Sequence, residues 1–116
     1  MAGADVCLMP CQYEPCGLTQ MRAQRYGALP LVRRVGGLAD TVDDEQTGFI
    51  FDDYGAEPLF GAGLRALDAW HRPDDWHQMR RTAMTRDFSW ERSVDDYLGV
   101  YRRVLAGIDR TPGPDA

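Results

Sequence analysis

The apolar positions in the first half of the chain form three short runs that polar loops separate. Each run has the length of a strand buried in a parallel sheet, and glycine or proline residues bound the runs. We predict strands over residues 6–9, 29–32 and 47–51. A helix is predicted over residues 17–26, with Gly27 placed to end it, and a shorter one over residues 38–42.

The second half of the chain follows a helical period, with apolar residues recurring every three or four positions. The pattern predicts three helices, of which the second starts at Pro73 and the third follows Ser89, a suitable N-cap. We interpret the apolar stripe of the last helix as core or interdomain packing. The first helix presents Phe60, Leu64, Leu67 and Trp70, and the last presents Trp90, Val94, Tyr97, Leu98, Tyr101, Val104 and Leu105.

This order of strands and helices predicts an α/β fold, a Rossmann-like parallel sheet with flanking helices. Three strands are few for a complete doubly wound sheet, which usually holds about five or six. We therefore expect part of a larger domain over residues 1–106, its other strands upstream or absent. A flexible tail is expected over residues 107–116.

Composition excludes several classes of function. The net charge of −5 and the lack of a basic stripe argue against nucleic acid, which binds clustered cations. All 13 basic residues are arginine, so this chain excludes any chemistry that needs the amine of a lysine side chain. The odd number of cysteines, the lack of a signal-peptide pattern and the short apolar runs predict a soluble cytoplasmic chain.

Glu14 is the first candidate for a functional residue. It follows a predicted strand and precedes a predicted helix start at Gly17, and ligands of open α/β sheets bind at the carboxyl ends of strands. The unpaired N–H groups of a helix start favour an anion such as phosphate. Spacing alone nevertheless favours the plainer alternative, in which Glu14 is a solvated loop acid and Gly17 only eases a turn.

Other polar clusters give weaker signals. The three cysteines lack the spacing of a metal site, so a buried thiol or a site-lining role is the simpler interpretation. We expect the two histidines to lie on helix surfaces and the acidic run at 43–45 to form a solvated turn. Gly36 and Gly37 either let the backbone approach the site or turn the chain. The residues in question are Cys7, Cys11, Cys16, His71, His77, Asp43, Asp44 and Glu45.

The segment from Glu14 to Gln20, EPCGLTQ, is similar residue for residue to a motif in the C-terminal domain of bacterial glycogen synthases and plant starch synthases. The resemblance continues in register through residues 26–42, 47–49, the helix of Trp76 and residues 87–90, and it extends to about Leu105. Arg22 stands where related glycosyltransferases often carry a second glutamate, which the synthases also lack. Residues 11–13, Cys-Gln-Tyr, replace the more usual Ser-Arg-Phe.

The resemblance implies part of the C-terminal domain of a GT-B glycosyltransferase, an enzyme with two facing Rossmann-like halves. Such an enzyme transfers glucose from ADP-glucose to the non-reducing end of an α-1,4-glucan, with retention and without a metal or another cofactor. By the same resemblance, Glu14 would bind the donor glucose hydroxyls and support charge at the anomeric carbon. Cys16 and Gly17 would contact the glucose, and Leu18 and Thr19 would hold the diphosphate.

The resemblance also implies partners that this chain lacks. The family's cationic arginine and lysine pair, its adenine-stacking aromatic residue and its acceptor-binding N-terminal domain lie upstream of this segment. We therefore expect the 116-residue chain alone to be inactive. The alternative is a non-catalytic remnant that retains only part of the ADP-sugar site. These residues do not distinguish ADP-glucose from UDP-glucose.

Overall fold

The computed structural model describes residues 1–108, in which three parallel strands form one sheet in the order β1-β2-β3. The register places Leu8 beside Leu31 and Leu31 beside Phe49. This arrangement confirms the predicted parallel α/β pattern. The strands are β1 (Val6–Met9), β2 (Leu29–Arg33) and β3 (Phe49–Phe51), and the helices are α1 (Thr19–Arg25), α2 (Gly36–Thr41), α3 (Ala56–Trp70), α4 (Pro73–Met84) and α5 (Trp90–Ile108).

Strands β2 and β3 are buried on both faces because their residues alternate between two apolar clusters. Leu31 and Phe49 belong to the cluster on the side of α3 and α4. Val32 and Ile50, their neighbours in sequence, belong to the cluster that includes Leu38 of α2. Strands covered on both sides are continuous apolar runs, and this explains the short runs in the sequence.

Helix α3 packs differently from the prediction made from its period. The residues it buries are the alanines Ala62, Ala66 and Ala69, whose small side chains let the helix lie close to the sheet. The larger apolar residues of the predicted face are each 49–67% exposed. Helix α3 therefore carries two apolar sides, of which the rest of residues 1–86 covers only one. The exposed set is Phe60, Leu64, Leu67 and Trp70.

An apolar groove of about 360 Å³ lies between the edge strand β1 and helix α3. Leu8 of β1 is 55% exposed there, and Leu67 and Trp70 of α3 are about half exposed. The groove is continuous with the core, because Leu31 and Ala66 also line it. Within residues 1–86, no helix or strand covers this side of the sheet as α3 and α4 cover the rest.

Strand β3 begins at Phe49, two residues later than predicted, because the residues before it form a tight turn. The backbone N–H of Asp43 donates to the Thr47 hydroxyl at 2.9 Å, and Glu45 has a φ of 58°. Thr47 is therefore committed to the turn and not to the sheet. Helix α2 begins two residues earlier than predicted, at Gly36.

The chain divides into two units, residues 1–86 and the segment that begins at Asp87 and contains α5. Just before α5, bonds from the hydroxyl and backbone N–H of Ser89 lower the pKa of Asp87. The seven apolar residues of the predicted stripe are each at least 41% exposed. Helix α5 reaches Ile108, so residues 107–108 of the expected tail are helical, whereas its remaining residues lie outside the described part. The expected domain boundary at residue 106 stays a prediction.

The Gly48→Ala substitution should lower stability, because a Cβ there would lie closer than 3.0 Å to the backbone oxygen of Pro30 and to Val42. We expect the unfolding free energy to fall by about 1–3 kcal/mol, the usual cost of overpacking. Gly61→Ala is the matched control, since Gly61 lies in α3 with open space around it. That variant should gain about 0.5–1 kcal/mol from helix propensity. Urea denaturation measures both, and equal midpoints for the two variants would contradict the prediction.

Candidate functional site

The three parallel strands end at the same edge of the sheet, so the loops that follow them lie side by side. The loop after β1 runs over residues 10–18 and leads into α1. The loop after β2 is residues 34–35, and the loop after β3 is residues 52–55. Any site formed by this unit at the carboxyl ends of its strands is therefore built from these three loops.

The loop after β1, together with the first residue of α1, contains the five residues that the sequence singled out. Glu14 is half-buried, whereas Cys16, Leu18 and Thr19 are exposed. Gly17 has a φ of 73°, a left-handed conformation that favours glycine, and α1 begins two residues later at Thr19. No side-chain cap occupies the start of this helix. The structure therefore places all five residues on one exposed loop and helix start.

The start of α2 lies directly against this loop. The backbone N–H of Gly37 donates to the carbonyl oxygens of Glu14 at 3.1 Å and Pro15 at 3.2 Å. A Cβ on Gly36 would lie closer than 3.0 Å to the Glu14 carbonyl, and one on Gly37 closer than 3.0 Å to the Cys16 backbone. Gly36 also has a φ of 46°. Of the two interpretations left open for this glycine pair, close approach to the candidate site is the one that the structure supports.

Arg33, the last residue of β2, joins the loops after β1 and β3, and sequence reasoning did not single it out. Its guanidinium donates to the carbonyl of Gln12 at 2.7 Å and to that of Asp52 at 3.0 Å, and it lies 5.3 Å from the centroid of the Tyr54 ring. A planar guanidinium can bind several acceptors at once. Its position in the last residue of a strand, at the carboxyl edge, was the signal available in the sequence.

Among residues 1–108, no three histidine, cysteine or acidic side chains are grouped so that they could hold an ion. Burial raises the pKa of the Cys7 thiol, and the positive chain terminus lowers it to a smaller extent. His71 and His77 are both exposed on the surface, and His71 lies edge-on to Trp70.

The acidic run at 43–45 was expected to be a solvated turn, but it holds ion pairs. Arg65 of α3 contacts Asp44 at 3.1 Å and Glu45 at 2.7 Å, and Asp43 pairs with Arg86. Arg65 also donates to the carbonyl of Ile50. These ion pairs attach the turn before β3 to helix α3 and to the residues that follow α4.

Residues 1–82 match the protein family described as glycosyl transferases group 1. The chain belongs to this family. One relative is the glycogen synthase of Leptothrix cholodnii, which is 48% identical over 114 residues. The alignment covers 91% of the present chain and 23% of that relative. The glycogen synthase of Thermodesulfovibrio yellowstonii is 44% identical, with 97% and 22% covered.

Solved glycosyltransferase structures resemble this chain as well. The catalytic domain of starch synthase IV from Arabidopsis thaliana, bound to ADP and acarbose, superposes with a TM-score of 0.77 at 35% identity. That match covers 88% of this chain and 23% of the other. A sucrose-phosphate synthase from Thermosynechococcus elongatus gives a TM-score of 0.67 at 30% identity, with 90% and 26% covered.

These matches confirm the predicted family resemblance and fold class, a partial domain of the GT-B type. The chain spans about a quarter of the length of the glycogen synthases that it matches. Among residues 1–108, no helix has both the length and the apolar character needed to cross a membrane. The roles expected for Glu14, Cys16, Gly17, Leu18 and Thr19 remain predictions.

Replacing Arg33 with glutamine should loosen the contact between the loops, because glutamine cannot reach two carbonyls and a ring at once. We expect the unfolding free energy to fall by about 1 kcal/mol. Arg34→Gln is the control, since Arg34 makes one exposed ion pair with Asp52, and such pairs are worth little. Urea denaturation of both variants measures the change in unfolding free energy, and an equal decrease in the two would show that Arg33 has no special role.

Proposed function

We propose that this chain is part of a glycogen synthase, an enzyme that transfers glucose from ADP-glucose to the non-reducing end of an α-1,4-glucan with retention. The observation that carries the proposal is the Glu14–Thr19 loop at the carboxyl edge of the sheet, with the synthase motif intact. The relatives that the chain matches at 44–48% identity are glycogen synthases, which supports the same choice of reaction.

In this proposal Glu14 binds the hydroxyls of the donor glucose and stabilises positive charge that develops at the anomeric carbon. Its half-buried position suits the role, because a carboxylate partly withdrawn from water interacts more strongly with charge than a fully solvated one does. Cys16 and Gly17 contact the glucose. No metal or other cofactor takes part.

Leu18 and Thr19 hold the diphosphate in the same proposal. Both are exposed at the start of α1, where backbone N–H groups have no intrahelical acceptor. The Thr19 hydroxyl adds a further donor. Hydrogen bonds to the departing ADP become stronger as negative charge collects on it, so they favour the transition state over the ground state.

The transfer needs groups that this chain does not supply. A lysine cannot come from this sequence, which has none, and the acceptor glucan also needs a surface to bind. We propose that the remaining part of the enzyme, including its N-terminal domain, provides both in the cytoplasm. The apolar groove beside β1 supports this view, since a further strand and helix packed there would cover Leu8, Leu67 and Trp70.

The second candidate is a non-catalytic product that keeps only part of the ADP-sugar site. The absence of lysine is compatible with this candidate, because the cation that the reaction needs is not in these residues. The DNA upstream of Met1 distinguishes the two candidates. An open frame that continues upstream and encodes the lysine-bearing part favours the enzyme, and a stop codon there favours the remnant.

The isolated 116-residue chain should not incorporate labelled glucose from ADP-glucose into glycogen. The physical reason is that the acceptor surface and the cations that neutralise the pyrophosphate are not in it. The assay is run beside a complete glycogen synthase as a positive control. Incorporation by the chain above the no-protein background would refute this part of the proposal.

In the complete enzyme, Glu14→Ala should lower kcat by about 100-fold or more, because its carboxylate acts mainly in the transition state. Glu57→Ala is the control, an exposed acid in the first turn of α3 that lies outside the three loops. Initial rates of glucose transfer give both values. A Glu14→Ala enzyme with near-normal kcat would remove this residue from the mechanism.

A further inference from the structure

Helix α1 buries two glutamine side chains, Gln20 and Gln24, each with 0% of its surface exposed. Burying a primary amide is costly unless its hydrogen bonds are replaced. The period of the sequence offers Leu18 and Met21 as the apolar side of this helix, yet Leu18 is 58% exposed. The Oε1 atoms of both glutamines are buried with no hydrogen-bond partner among the described residues, so the contacts of the two Nε2 groups must offset their burial.

Gln20 uses its amide to hold the backbone of the candidate site. Its Nε2 group donates to the carbonyls of Cys16 at 2.9 Å and Gly17 at 2.7 Å. The same nitrogen lies 3.0 Å from the Thr41 hydroxyl, which in turn donates to the carbonyl of Gly37 at 2.6 Å. The two amide hydrogens are shared among these three acceptors, and the resulting network links the loop after β1, through Gln20 and Thr41, to the start of α2.

The same two segments are joined at a second point. The N–H of Gly37 donates to the carbonyls of Glu14 and Pro15, so both ends of the stretch 14–17 are fixed to α2. Gly17 fits this arrangement closely, because a Cβ there would lie closer than 3.0 Å to Oε1 of Gln20. Any other residue at position 17 would displace the amide that holds the loop.

We propose that Gln20, acting through Thr41, is a positioning residue that fixes the Glu14–Gly17 loop against α2. It does not contact the substrate. It sets the backbone on which Glu14, Cys16 and Gly17 stand, so its effect on glucose transfer rests on the function proposed above. Positioning of this kind matters, because a shift of about 1 Å in a reacting group can cost about 100-fold in rate.

Gln24 provides a matched control within the same helix. It is the same residue type, it is equally buried, and its Nε2 donates to the Thr41 carbonyl at 2.9 Å. Its hydrogen bond joins α1 to α2 but does not reach the loop. Methionine has a side chain of similar length to glutamine but no amide. The Gln20→Met and Gln24→Met variants therefore differ mainly in whether the contact with residues 16 and 17 is lost.

The first measurement uses the 116-residue chain and follows amide hydrogen exchange by NMR. In Gln20→Met, we expect protection of the Gly37 amide to fall about tenfold or more relative to Leu31 in β2, as the loss of about 1.4 kcal/mol would give. Gln24→Met should leave that ratio unchanged. Thr41→Val should reproduce the loss and Thr41→Ser should restore protection, which keeps the test valid if Gln20→Met does not fold. Equal ratios in the Gln20 and Gln24 variants, or full protection in Thr41→Val, would overturn the proposal.

The second measurement uses the complete enzyme and separates kcat from KM. Gln20→Met should lower kcat about tenfold with little change in the KM for the sugar nucleotide, whereas Gln24→Met should keep kcat. Lost protection together with an unchanged kcat would overturn the positioning role. If the unsubstituted enzyme transfers no glucose, the proposed function fails, while the exchange result still decides whether Gln20 fixes the loop.

Discussion

The contact between the Glu14–Cys16 backbone and the glycine pair at the start of α2 is the constraint on which the rest of the site depends. Two segments that follow neighbouring parallel strands must approach until a Cβ on Gly36 or Gly37 would overlap main-chain atoms. Polar groups buried at such a close approach need hydrogen-bond partners. The Gly37 N–H, the Gln20 amide and the Thr41 hydroxyl meet that need.

The strands and most helices were predictable because their causes are local. Apolar runs of strand length, Gly27 at the end of a helix and Pro73 at the start of another each act within a few residues. The positions of the five candidate residues on one loop also followed, since Glu14 stands between a strand and a helix. Their assignment to glucose or diphosphate came from the resemblance and not from their spacing.

The parts that were missed depend on residues far apart in the chain. Helix α3 turns its alanines and not its larger apolar residues toward the sheet, where they share a cluster with Phe49 and with Trp76 of α4. Gln20 and Gln24 are buried because Thr41 and the carbonyls of the loop after β1 are there to accept their hydrogen bonds. Arg33 gains its role from Gln12 and Asp52, which lie on the two other loops.

Strand β1 is one of the two edge strands of the sheet in residues 1–108, and the groove beside β1 is apolar. An edge strand presents a row of N–H and C=O groups to any extended chain that comes near, and an adjacent apolar surface strengthens that attraction. Strand β1 is only four residues long and can pair with only a short segment, but its exposed Leu8 favours association with another apolar surface. In solution the isolated 116-residue chain would therefore self-associate as well as fold. The association would take place through this edge and would increase with the protein concentration.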